Sequence, residues 1–342
     1  MQWYISSDLI TVGSEIGRGS FGVVRRAKWR HTEVAIKVLY KDAQAEDRDL
    51  FEREVAIMAT LHHPNIVQFL GFIRAPELAL VLELFPDGSI ENFVLKEKPS
   101  KEMSLSLCWD MALAIEYMHS RTPSIVIHRD IKPANFMLTP ARRVKLCDFG
   151  VAREPRYAKK KANPSLDDDV ASLRLDDEDS EGRRRASSRA SQGDDDSSVH
   201  STRSNASAHS PRFKSSDNDF ASEGDLTSNC GTARFMAPEV SSTDSRTVKY
   251  SSKADIFSLA LVYYFVWERA LPALPDHTTA VDYKRALASG VRPAFQKTPK
   301  HIRALIEMMW AGKPLDRPTA HAILEYQKAE KNWNKTTRVF PW

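Results

Sequence analysis

His128-Arg129-Asp130-Ile131-Lys132-Pro133-Ala134-Asn135 decides how this chain reads. One short loop carries a carboxylate, a lysine two residues on and an amide five residues on. Asp130 can orient a hydroxyl and receive its proton late. Lys132 can reach a transferring group, and Asn135 can hold a metal ion through its amide oxygen. A short apolar run, Val144-Lys145-Leu146, then leads through Cys147 to Asp148-Phe149-Gly150, which offers a second carboxylate for the metal. Taken singly, His-Arg-Asp and Asp-Phe-Gly are common turn tripeptides. The rest of the chain decides whether they act together.

Upstream, residues 9–38 read as strand, turn, strand, strand. Within them Gly17-Arg18-Gly19-Ser20-Phe21-Gly22-Val23-Val24 has the form G-x-G-x-x-G-x-V. Glycines let a backbone close over phosphates without Cβ clashes, and its amides face the anion. A dinucleotide-binding loop shares this signal but needs a helix starting inside the motif. Here a strand follows instead, Val34-Ala35-Ile36-Lys37-Val38. Residues 46–61 show helical periodicity, with Phe51, Val55 and Met58 on one face and Glu54 on the same side. A carboxylate on an apolar face is costly unless paired. Lys37 is the obvious partner; the alternatives are that Glu52 is the partner or that Glu54 is a solvated helix residue.

In this order and at this spacing, the motifs resemble the protein kinase family, of the serine/threonine type. The resemblance implies an α+β, bilobal fold: a small antiparallel sheet lobe, a larger mostly helical lobe, and ATP with Mg²⁺ between them. It implies catalytic roles for Asp130, Lys132, Lys37 and Glu54. Gly17, Gly19 and Gly22 would cover the phosphates, and Lys37 would grip them. Leu82 would stand beside the nucleotide, Glu83 to Phe85 would form the hinge to adenine, and Val24, Ala35 and Met137 would sandwich its ring. Asn135 and Asp148 would hold the metal.

The match continues downstream. Gly231-Thr232-Ala233-Arg234-Phe235-Met236-Ala237-Pro238-Glu239 resembles the family's substrate-facing loop. Asp255 resembles the buried aspartate that braces the catalytic loop, and Arg317 would pair with Glu239. Trp310 with Arg317-Pro318-Thr319 resembles the tyrosine-kinase-like, Raf-related group. Residues 104–120 form an amphipathic helix whose stripe ends at His119, read as a packed helix-end residue. Ser89 is a candidate helix cap.

Asp148 to Glu239 spans 92 residues, far longer than the family's usual activation segment. Inside it, residues 158–226 alternate acidic and basic runs, rich in serine and poor in large apolar residues. Such a segment cannot bury enough surface to offset its ordering entropy, so a disordered insertion is expected. The kinase domain is expected over residues 9–326, with a tail at 327–342. Ser228 and Thr227 are candidate activation-loop phosphosites, with Arg129 and Arg153 as phosphate receptors. Ser187 follows Arg183-Arg184-Arg185 at a spacing that an upstream basophilic kinase favours.

Composition bounds the alternatives. Hydrophobic content of 42% and charged content of 27% are ordinary for a soluble protein. A net charge of +4 over 342 residues does not argue for nucleic acid, and the acidic runs neutralise the basic ones. Cys108, Cys147 and Cys230 offer neither a disulfide framework nor zinc spacing, which favours a reducing compartment. The first residues lack a signal-peptide pattern. The longest apolar run, residues 256–267, falls short of the roughly 20 residues a membrane span needs and reads as a buried helix. The expected location is cytoplasmic or nuclear, and the expected partners are protein substrates.

Overall fold

A computed structural model of the chain describes residues 3–19, 22–154, 233–241, 251–274 and 279–329. Five antiparallel strands come first: β1 (Ile10–Arg18), β2 (Gly22–Trp29), β3 (Thr32–Leu39), β4 (Phe69–Ile73) and β5 (Ala79–Glu83). Their order across the sheet is β1-β2-β3-β5-β4. Alternation sorts the side chains of the central strands. Val34, Ile36, Ala79 and Val81 face one side, while Leu39 and Leu80 face the other. Both sides are covered, so the central strands read as continuous apolar runs.

Helix α1 (Ala45–Met58) covers the inner side. Its buried residues Phe51, Glu54, Ile57 and Met58 recur at helical spacing, so one stripe faces the sheet and carries Glu54 with it. The first turn is tied down by the Gln44 N–H donating to Asp47 Oδ2 at 2.9 Å. On the outer side lies a segment that the domain boundary at residue 9 leaves out. The Ile5 N–H donates to Phe72 O and the Phe72 N–H to Trp3 O, both at 2.9 Å, so residues 3–5 run parallel along edge strand β4. Ile5 is buried in the outer apolar cluster. Trp3 tilts against Phe69 at 5.5 Å between ring centroids.

The second lobe is mostly helical: α2 (Ile90–Glu97), α3 (Lys101–His119), α4 (Ser252–Glu268), α5 (Ala280–Ala288), α6 (Lys300–Met309) and α7 (Ala320–Ala329). A two-stranded ribbon, β6 (Phe136–Leu138) and β7 (Val144–Leu146), lies between α3 and α4 in sequence. Ser100 caps α3 by accepting the Met103 N–H at 3.2 Å. Ser89 stands at the N-cap of α2, yet its side chain makes no capping bond. Helix α4 is buried from Ala254 to Glu268 on every side, as a helix apolar all round must be. Among the described residues no helix is long and apolar enough to cross a membrane. One apolar cluster runs from α1 and β4 through α3 and α4 to α7. Helix α7 passes the expected boundary at 326: Gln327 is fully buried and donates to Tyr263 Oη at 3.0 Å.

Candidate active site

The loop containing Asp130 is bent by one buried carboxylate at the start of α4. Asp255 accepts the His128 N–H at 2.8 Å and the Arg129 N–H at 2.9 Å. His119, at the end of α3, places Nε2 3.0 Å from the same carboxylate. Burial pushes the Asp255 carboxyl up, but the His119 hydrogen bond and the backbone N–H groups hold it below the usual carboxylate range. Its charge is thus fixed where the backbone turns sharply: Arg129 has φ +72°, a strained value outside glycine. His119 was read as a packed helix-end residue; its partner lies 136 residues on, beyond the reach of any local pattern.

Beyond the turn, His128 accepts the Asp130 N–H on Nδ1 at 3.3 Å, which leaves Nε2–H to donate to Cys147 O at 3.0 Å. Its ring meets Phe149 edge-on at 4.9 Å. Asp130 Oδ2 is 2.8 Å from Lys132 Nζ and accepts from Asn135 Nδ2 at 2.9 Å. Asn135 Nδ2 also donates to Asp130 O at 2.8 Å. The Asn135 amide donor is thus spent on Asp130. The Cys147 N–H donates to Asn135 O at 2.9 Å, which ties this loop to Asp148.

Lys37 completes the cleft. Its Nζ lies 2.9 and 3.0 Å from the two Glu54 oxygens and 2.8 Å from Asp148 Oδ1. Burial alone would lower the lysine, but Asp148 and Glu54 together hold it above its ordinary value. The two acids divide unequally. Burial raises Glu54 despite its bond to Lys37. Asp148, also opposed by burial, is held down to about 2 by the Lys37 ammonium. One cation thus faces two carboxylates.

The glycines differ. A Cβ on Gly22 would sit 2.1 Å from Val38 O, so the sheet itself demands glycine there. Gly17 and Gly19 have only ordinary contacts at 3.8 and 3.9 Å. The sheet itself therefore makes no such demand at these two positions. Val24 pairs with Lys37 across β2–β3, and Ala35 pairs with Leu82 across β3–β5. Met137 pairs with Lys145 and bridges to Ser89, below the segment that leaves β5. In that segment the Glu83 N–H donates to Gln68 O at 3.1 Å and Phe85 O accepts the Gly88 N–H at 3.3 Å. The Glu83 side chain is 2.7 Å from Lys145 Nζ, a contact no sequence pattern announced. Arg317 is wholly buried and grips Glu239 through both nitrogens at 2.6 and 2.9 Å. Thr227, Ser228, Thr232, Ser187 and the segment 158–226 lie outside the described residues.

The protein kinase domain family matches residues 10–171 and 212–327. The chain belongs to the protein kinase family. The stretch the match leaves out, 172–211, falls within the charged, serine-rich segment. Among curated relatives, this kinase is 29% identical over 328 residues to mitogen-activated protein kinase kinase kinase 7 of Drosophila melanogaster, covering 94% of this chain and 37% of the relative. It is 28% identical over 354 residues to the probable serine/threonine-protein kinase drkD of Dictyostelium discoideum, covering 100% and 22%. It is 41% identical over 150 residues to serine/threonine-protein kinase CTR1 of Arabidopsis thaliana, covering 42% and 18%. These relatives fit the tyrosine-kinase-like group suggested by Trp310 and Arg317-Pro318-Thr319. The kinase spans 15% to 37% of the length of the first relatives it matches.

Proposed function

We propose that this kinase transfers the γ-phosphoryl group of Mg-ATP to serine and threonine hydroxyls of protein substrates. The observation that carries the reading is Lys37 Nζ held within 3.0 Å of both Glu54 and Asp148. That pose offers an ammonium to phosphates beside a carboxylate for their metal. Magnesium, when bound by Asn135 and Asp148, supplies charge neutralisation on the phosphate oxygens. Gly17 and Gly19 let the backbone approach the phosphates, and Gly22 lets β2 lie against β3. The Glu83 carbonyl and the Phe85 amide serve adenine, and Val24, Ala35 and Met137 enclose its ring. Asp130 orients the acceptor hydroxyl and takes its proton as the new O–P bond forms and the bond to the ADP oxygen breaks. Lys132 meets the charge on the transferred group. A phosphate on Thr227 or Ser228 would pair with Arg129 and Arg153, whose backbones are already pinned to Asp255 and to Ile127. Ser187 would serve as a second input from an upstream basophilic kinase.

The test is phosphate transfer from radiolabelled Mg-ATP to casein by the purified chain. Asp130→Asn and Asp148→Asn should each abolish transfer while moving the melting temperature by no more than about 4 °C. Nucleotide binding without transfer by the unmutated chain, in every phosphorylation state, would make the protein a scaffold instead.

A further inference from the structure

Arg121 lies two residues past α3, and its guanidinium joins two other elements. Nη1 is 3.1 Å from Glu154 Oε1, and Nη2 donates to Thr60 Oγ1 at 3.0 Å. Thr60 stands two residues past α1, and its hydroxyl donates back to Ile57 O at 2.8 Å in the last turn of that helix. Glu154 stands six residues past Asp148. The stem between them is fixed on the catalytic loop, because Ile127 and Arg153 exchange backbone hydrogen bonds at 2.9 and 3.0 Å. The Arg121 side chain is 17% exposed and that of Glu154 40%, so solvent screens the charge pair, and the two-point grip of the guanidinium rather than charge alone fixes the geometry.

Two links therefore span the same pair of elements. Lys37 joins Glu54 on α1 to Asp148 on the stem, and Arg121 joins the end of α1 to the end of the stem. Apolar packing beneath α1 is non-directional. A planar guanidinium that holds a carboxylate and a hydroxyl at once sets both distance and direction. We infer that Arg121 is a positioning residue: by holding Thr60 and Glu154 together it sets α1 against the stem and keeps Glu54 on Lys37. Its kinetic consequence rests on the phosphoryl-transfer reading; its structural consequence does not.

The experiment uses the full chain with Arg121→Gln, Glu154→Gln, their combination, and Arg121→Lys. Hydrogen exchange at amides 55–58 should be several-fold faster in Arg121→Gln and in Glu154→Gln than in the unmutated chain. Each single variant should lower kcat for casein by about two- to fivefold, the size an exposed pair can supply. KM for casein should stay unchanged, as should the melting temperature within about 4 °C. The combined variant should be no worse than the worse single one, because both remove one link. Arg121→Lys keeps the charge without the fork and should fall between. If the unmutated chain transfers no phosphate, the kinase reading fails and the exchange rates still decide the latch. Unchanged exchange at amides 55–58 in Arg121→Gln, or additive losses in the combined variant, would overturn it.

Discussion

Glu54 and Asp255 are both buried carboxylates, 6% and 1% exposed, yet their surroundings push them in opposite directions. Asp255 collects donors that have no other acid to serve: two backbone N–H groups and the His119 ring. Those donors outweigh burial and hold it ionised. Glu54 has one cation, which also serves Asp148, and one backbone N–H, that of Phe149. Burial then prevails and raises it. The first arrangement is an anchor within one lobe. The second is a junction of β3, α1 and the stem, and it holds only while the three are aligned.

The largest effect should come from the anchor. In Asp255→Asn one acceptor oxygen becomes an NH₂ group facing a backbone N–H. Breaking a buried, hydrogen-bonded charge of this kind costs about 3–5 kcal/mol. That corresponds to a melting temperature lower by about 10 °C. The Asp130 loop loses its bend as well, and a misplacement near 1 Å lowers kcat about 100-fold. Thermal melts and steady-state kinetics on the same preparation check both. A melting temperature unchanged by Asp255→Asn would erase the distinction drawn above.

Glu54→Gln should separate the two quantities. Glutamine keeps the shape and removes a charge that burial already disfavours, while Lys37 retains Asp148. The melting temperature should hardly move, and kcat should fall about tenfold as Lys37 loses the partner that aims it. Should this variant lose as much stability as Asp255→Asn, Glu54 would be an anchor too.

How far these features were legible follows from distance along the chain. Asp130, Asn135 and Asp148 sit in short runs whose order and spacing suggest the chemistry from residues alone, whereas the phosphate role of Lys37 came from resemblance. Glu54 was legible because a carboxylate on an apolar stripe demands an explanation. Arg317 and Glu239, and the role of Asp255, came from resemblance. His119 on Asp255 and Lys145 on Glu83 were missed, since each joins side chains 136 and 62 residues apart that are unremarkable locally. Residues 3–5 were missed for another reason. Trp-Tyr-Ile is too short to show a period, and its pairing with β4 depends on how close the chain can pass Gly71, where a Cβ would lie 2.6 Å from Trp3 O.

The smallest effect is the one that tests the comparison most directly, because it concerns sign rather than size. The folded protein holds Asp255 below its unfolded value of about 3.9. Its contribution to stability is therefore in place above that value and is lost as pH falls through the folded one. Glu54 is held above its unfolded value of about 4.3. Its contribution is fully present below that value and is lost as pH rises through the folded one. Urea unfolding of the unmutated chain, Asp255→Asn and Glu54→Gln between pH 3 and pH 7 separates the two. The stability gap between the unmutated chain and Asp255→Asn should narrow on acidification below about pH 4. The gap between the unmutated chain and Glu54→Gln should shift against the unmutated chain as pH rises above about 4.3. A single group gives at most about 1.4 kcal/mol per pH unit. Asp148, held near 2 by Lys37, lies below the window. Two gaps that slope the same way with pH would show that Glu54 and Asp255 are held by the same kind of surroundings.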